Sequence, residues 1–169
     1  MAGNKYLSNN AGAITEVAAI QTSAGAGDAG KIPALNSSGV FDTSFMPTGI
    51  AADTAAITAS EALSAGNLVN VYNNSGTPAV RKADASVSGK EAHGFVLAAV
   101  SNGATATVYF EGTNSGVTSL TGGVQFLSTT PGTCSTTAPS GSGNIVQRVG
   151  EATAATSLNF HAGTPIVLA

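Results

Sequence analysis

The stretch Ala104-Thr105-Ala106-Thr107-Val108-Tyr109-Phe110 alternates strictly: Ala104, Ala106, Val108 and Phe110 fall on one side of an extended chain, Thr105, Thr107 and Tyr109 on the other. A period of two is what a half-buried β-strand needs and what a helix cannot use. Asn102-Gly103 just ahead of it is a tight-hairpin signal that tolerates positive φ. It leads back to Gly94 to Val100, an apolar run expected to be a central strand because both of its faces are apolar.

The same cadence runs from residue 53 to the end of the chain. The Glu61 to Gly66 turn precedes a strand at Leu68 to Tyr72, and Asn73-Asn74-Ser75-Gly76 turns it into Ala79 to Lys82. A polar stretch, Asp84 to Glu91, comes before the central run. Beyond Phe110, Gly122 to Ser128 and Gly143 to Ala152 read as β segments on either side of a Thr/Ser/Pro/Gly loop, Thr129 to Ser142, expected to arch between them. Ser157 to Phe160 is a short return strand with Leu158 and Phe160 on one face, and Pro165 to Leu168 begins with the proline that suits an edge. Turn signals at intervals of about 8 to 12 residues belong to sandwiches and barrels. No heptad pattern is sustained, so no coiled-coil stalk is expected. The predicted fold is all-β: an antiparallel β-sandwich or barrel over residues 53–169, preceded by an extended N-terminal arm over residues 1–52.

Within the arm, Ala13 to Ile20 fits a strand or a helical turn equally well. Thr22 to Gly30 is almost wholly Ala, Gly, Ser and Asp, which gain little by burial. Gly25-Ala26-Gly27-Asp28-Ala29-Gly30 satisfies the dinucleotide-binding spacing, but Pro33 arrives three residues after the last Gly and no amphipathic helical run follows to hold a pyrophosphate. The segment from Lys31 to Ile50 carries Ile32, Leu35, Val40, Phe41, Phe45, Met46 and Ile50, separated by turn formers. Anchors spaced in this way suit docking onto another subunit or a neighbouring protein; the alternative is that they fold back onto their own domain. Ile32, Leu35, Val40, Phe41, Phe45 and Met46 are therefore the candidate contact residues. The joint to the β domain is expected at Ala51 to Thr54.

How such a chain could be stable is a question for composition. Apolar residues make up 43% of it, but 30 of the 169 residues are Ala, charged residues are 9%, and there is no Trp. Small side chains bury little area at about 25 cal/mol per Å2, so a monomer's core is thin and an oligomer is expected. Six basic residues and a net charge of −3 argue against nucleic acid, which demands clustered Lys and Arg. The only adjacent pair, Arg81-Lys82, reads as a solvated strand end. Met1 to Leu7 contains no apolar h-region, and Phe95 to Val100 is too short to span a bilayer, so neither secretion nor a membrane is expected.

Chemistry-bearing residues are sparse. His93 and His161 lie far apart, each beside a Gly or Ala, and are expected to face solvent at strand ends. Cys134 stands alone in the polar loop without a neighbouring cation to activate it, and reads as a bystander thiol. The nine carboxylates are scattered without a close pair, and no nucleophile elbow is present. No enzymatic activity, metal or cofactor is expected.

The order of the C-terminal pattern carries a resemblance. Gly122-Gly123-Val124-Gln125-Phe126-Leu127-Ser128, a Thr/Pro/Gly/Ser loop, Val146-Gln147-Arg148-Val149-Gly150 and a short return strand together resemble a module of tailed-bacteriophage virion proteins. Gly30-Lys31-Ile32-Pro33-Ala34-Leu35 to Phe41-Asp42, with Met46-Pro47, resembles the phage-fibre pattern that begins Gly-Lys-Ile-Pro. Across residues 5–169 the chain is similar to capsid decoration (cement) proteins and head fibres. The resemblance implies a structural protein, made in the host bacterial cytoplasm, that binds the major capsid protein on the virion's capsid surface as a homotrimer and stabilises the head. A different class stands beside it: a tail or head fibre protein that recognises a host cell-surface glycan. The lack of Trp and the three Tyr speak against that class, while Thr/Ser/Asn-rich loops speak for it.

Overall fold

The computed structural model describes residues 4–46 and 52–169, and the chain divides into two units, Met1–Ala51 and Ala52–Ala169. Ile50, Pro47 and part of the expected joint lie outside the described residues.

The first unit opens with a hairpin of β1 (Lys5–Asn10) and β2 (Ala13–Ala18), paired without a shift from Lys5↔Ala18 to Asn10↔Ala13. Its two-residue loop has φ of 52° at Ala11 and 92° at Gly12, the mirror-image turn whose twist matches that of the strands. Residues 13–18, ambiguous by periodicity, are thus a strand, because a partner six residues long is at hand across a tight turn. The segment expected to be a simple extended arm is in part a β-hairpin. Residues 19–46 are held by turns rather than by strands. The carboxylate of Asp28 accepts from Ala24 N–H and from Lys31 Nζ, both at 2.6 Å, around a single 3-10 turn at Ala26–Asp28. Asn36 Oδ1 accepts from the amides of Ser38 (2.9 Å) and Val40 (3.2 Å), and Asp42 caps a 3-10 turn at Thr43–Phe45 by accepting from Ser44 N–H. A parallel bridge between Ile20 and Pro33 ties the two halves of this segment together.

The second unit contains β3 (Thr54–Ala59), β4 (Leu68–Asn74), β5 (Thr77–Lys82), β6 (Gly94–Phe95) and β7 (Thr105–Tyr109). These close into a barrel in the order β3-β5-β4-β6-β7, all pairs antiparallel except β3 with β5. Along β7 the expected alternation holds, with Ala106 and Val108 fully buried and Thr105 and Thr107 exposed. They pack with Ala59, Leu63, Val69, Val80 and Val96.

The central run, however, is a strand only at Gly94–Phe95. After Phe95 the backbone is captured elsewhere: Val96 N–H donates to Asn67 C=O, and Val100 exchanges both backbone bonds with Leu63 at 2.9 Å. Hydrophobicity on both faces correctly placed the segment between two strands, but competing partners set its length.

Beyond the barrel come β8 (Gly112–Asn114), β9 (Gly123–Leu127), β10 (Cys134–Ser135), β11 (Ile145–Val146), β12 (Arg148–Ala154), β13 (Ser157–Phe160) and β14 (Ile166–Val167). Five of them form a sheet ordered β10-β9-β12-β13-β8, and β11 pairs with β14. The polar loop does not arch freely, since Cys134 and Ser135 fold back to pair with Leu127 and Phe126. A second cluster, with Leu68, Phe95, Leu127, Ile145, Val149, Leu158 and Phe160, joins this sheet to the barrel. Phe95 is the hinge of that packing, stacked on Tyr109 at 5.3 Å and meeting Phe160 edge-on at 5.5 Å.

Candidate contact surface

Among the described residues all nineteen buried apolar side chains lie in the second unit, and seven of them are Ala. No described residue of the first unit is buried. Where the apolar side chains of that first unit stand therefore matters most. Ile32 and Leu35 are each 48% exposed, Val40 54%, Phe41 48% and Met46 44%. Phe45 is partly covered, its ring set edge-on against that of Phe41 at 6.1 Å. The turns at Asn36 and Asp42 fix the backbone between these anchors, so the side chains are presented from an ordered scaffold.

Two residues of the same kind were missed in the sequence. Leu7 and Ile14, at 74% and 65% exposure, lie on one face of the hairpin, the face that also carries the Lys5–Glu16 ion pair. The signal was present in the alternation of Lys5, Leu7 and Asn9, but reading the segment as an arm left no face on which to place it. Seven of the eleven exposed large apolar side chains among the described residues belong to the first unit.

The electrostatics of this unit are local. The hydrogen bond from Lys31 and then that from Ala24 N–H hold the Asp28 carboxyl below its ordinary value. The Ser44 side chain and amide do the same for Asp42.

In the second unit, polar side chains are spent on the backbone. Buried Gln147 accepts from Ala92 N–H (2.7 Å) and donates to Ala92 C=O (2.9 Å) and Gly163 C=O (3.1 Å). Buried Asn114 donates to Gly66 C=O and Gln125 donates to Thr121 C=O. His93 is not the free strand-end side chain expected, because its Nδ1 accepts from Val71 N–H at 3.1 Å. Arg81 is likewise engaged rather than solvated: Nε donates to Asn70 Oδ1 (3.0 Å), Nη2 to Gly89 C=O (2.9 Å), and the guanidinium lies 4.1 Å over the Tyr72 ring. His161 is exposed and stands 3.6 Å from Glu151, which also pairs with Arg148. Cys134 lines a cleft of about 270 Å3 with Gly66, Asn67, Gly116 and Val117, and burial pushes its thiol pKa up. Among the described residues no three His, Cys, Asp or Glu side chains come together as a metal site would need, and no helix is long and apolar enough to cross a membrane.

Comparison of the chain with protein-family models, with curated proteins and with solved structures finds no match.

Proposed function

We propose that this chain is a structural virion protein of the capsid decoration type, which binds the major capsid protein of an assembled phage head as a homo-oligomer and stabilises the head. One observation carries the reading: a unit of one hairpin and ordered turns that buries none of its described residues displays seven large apolar side chains, whereas the second unit has a core of its own. Seven exposed large apolar side chains in the first unit, against four in the second, suit a surface that a protein partner covers. The resemblance of Gly30 to Asp42 and of Gly122 to Phe160 to phage virion modules supplies the partner.

The test is co-sedimentation with undecorated heads. Replacing Ile32, Leu35, Phe41 and Phe45 together with Ala is expected to weaken binding by at least about a hundredfold, since large apolar side chains contribute about 1.5 to 3 kcal/mol each on full burial. Wild-type affinity in that variant would refute the assignment of the anchors. A protein that ignores heads but adheres to host cells would move the reading to a fibre that recognises a surface glycan.

A further inference from the structure

The hairpin of the first unit has edges as well as faces. Ala19 N–H donates to Asn4 C=O (2.7 Å), and the register continues by single steps from that pair to the Ala11-Gly12 loop. In an antiparallel pair, alternate residues direct both backbone groups at the partner strand. Tyr6, Ser8 and Asn10, with Val17, Thr15 and Ala13, therefore make the hairpin's own bonds. The backbone groups of Lys5, Leu7 and Asn9 on β1, and of Ile14, Glu16 and Ala18 on β2, point away from it. Among the described residues none of them finds a backbone partner outside the hairpin.

Each edge runs six residues with no proline and no register shift. Sheet proteins normally blunt edges as open as these, and an isolated two-stranded hairpin is at best marginally stable in water. Both facts are resolved by a further strand.

Charge selects which strand. The only charge on β1 is Lys5 and the only charge on β2 is Glu16, and both lie toward the end of the hairpin away from its turn. Pairing β1 of one copy with β2 of the next around a cyclic axis along the strands runs them antiparallel and sets Lys5 beside the neighbour's Glu16. Pairing β1 with β1 about a two-fold axis sets Lys5 against the Asn9-Asn10 end of its mate, where it meets no carboxylate of the neighbour and keeps only the Glu16 of its own hairpin.

We propose that the N-terminal hairpins of several copies of this chain join edge to edge, β1 to β2, into one closed intersubunit sheet. Because each copy uses both edges once, the pairing is head to tail and ends only by closing into a ring. Closure also gathers every copy of Leu7 and Ile14 onto one face of the sheet. The proposal rests on the oligomeric part of the function proposed for the chain and names the element that makes the oligomer.

Amide hydrogen exchange on the full chain tests it. In the wild-type protein at concentrations of tens of micromolar, the amides of Leu7, Asn9, Ile14 and Glu16 are expected to exchange at least about 100-fold more slowly than in an unstructured chain. Leu7→Pro removes one outward N–H and leaves the hairpin's inward bonds in place. It is expected to abolish that protection at Ile14 and Glu16 and to bring the mass in light scattering down to 16.4 kDa. An oligomer in which those four amides are unprotected overturns the proposal, and so does protection that arises only when undecorated heads are added. A wild-type monomer overturns it too, and if that monomer binds heads the decoration reading stands without it. An edge-protected oligomer that ignores heads upholds the sheet and removes the decoration reading instead.

Discussion

Gln147 shows how a chain with so few large apolar residues holds its second unit together. Its side chain takes both backbone groups of Ala92 and the carbonyl of Gly163, in effect lending a peptide group to a segment that itself lies outside the strands. Gln147→Leu keeps the volume but orphans the buried N–H and C=O of Ala92, each costing about 1 to 3 kcal/mol when left unsatisfied, and takes a donor from the part-buried Gly163 carbonyl. The expected loss in urea unfolding is about 3 to 5 kcal/mol, against less than about 0.5 kcal/mol for Thr107→Ala on the exposed face of β7. Equal midpoints for the two variants would show that the network is ornamental. Gly150 matters for a different reason. Its φ is 135°, and a Cβ there would stand 2.0 Å from Asn159 C=O, so only glycine lets β12 and β13 approach.

The turns of the first unit are elements whose stability depends on carboxylates rather than on a core. Asp28 and Asp42 have folded pKa values below their unfolded ones, because the hydrogen bonds from Lys31 and Ala24 and from Ser44 favour the charged carboxylate. Such a group adds stability that is complete above the unfolded value and is lost as the pH falls through the folded one. The turns at 24–31 and 42–45 should therefore be intact at neutral pH and loosen only in the acid range, below about pH 4. The amide resonances of Ala24 and Ser44 report it in an NMR titration. A midpoint at or above the ordinary aspartate value would contradict the hydrogen bonding described.

At the scale of the whole molecule, the two units differ in what they can do alone. Among the described residues the second contains every buried apolar side chain and both core clusters. Deleting residues 1–50 is expected to leave a soluble β protein that unfolds cooperatively, while binding to undecorated heads is lost. Far-UV circular dichroism through a thermal melt checks the first half and co-sedimentation the second. A truncated chain without a cooperative transition would show that the second unit needs the first in order to fold.

What the sequence determined by itself was local. Alternation at residues 104–110, the turn formers at 73–76 and 102–103, and the paired Leu158 and Phe160 each specify a strand or a turn within a few residues, because side-chain period and backbone φ act at that range. Partner choice was decided only in three dimensions. Val100 pairs with Leu63 rather than extending β6, Cys134 returns to Leu127, His93 takes the Val71 amide, and β3 runs parallel to β5. Each satisfies a backbone group with whatever the fold has brought near, across separations that no local pattern encodes. The hairpin at residues 5–18 falls between the two cases: its pattern was too short to choose between helix and strand, and only the pairing of β1 with β2 made it a sheet with two open edges.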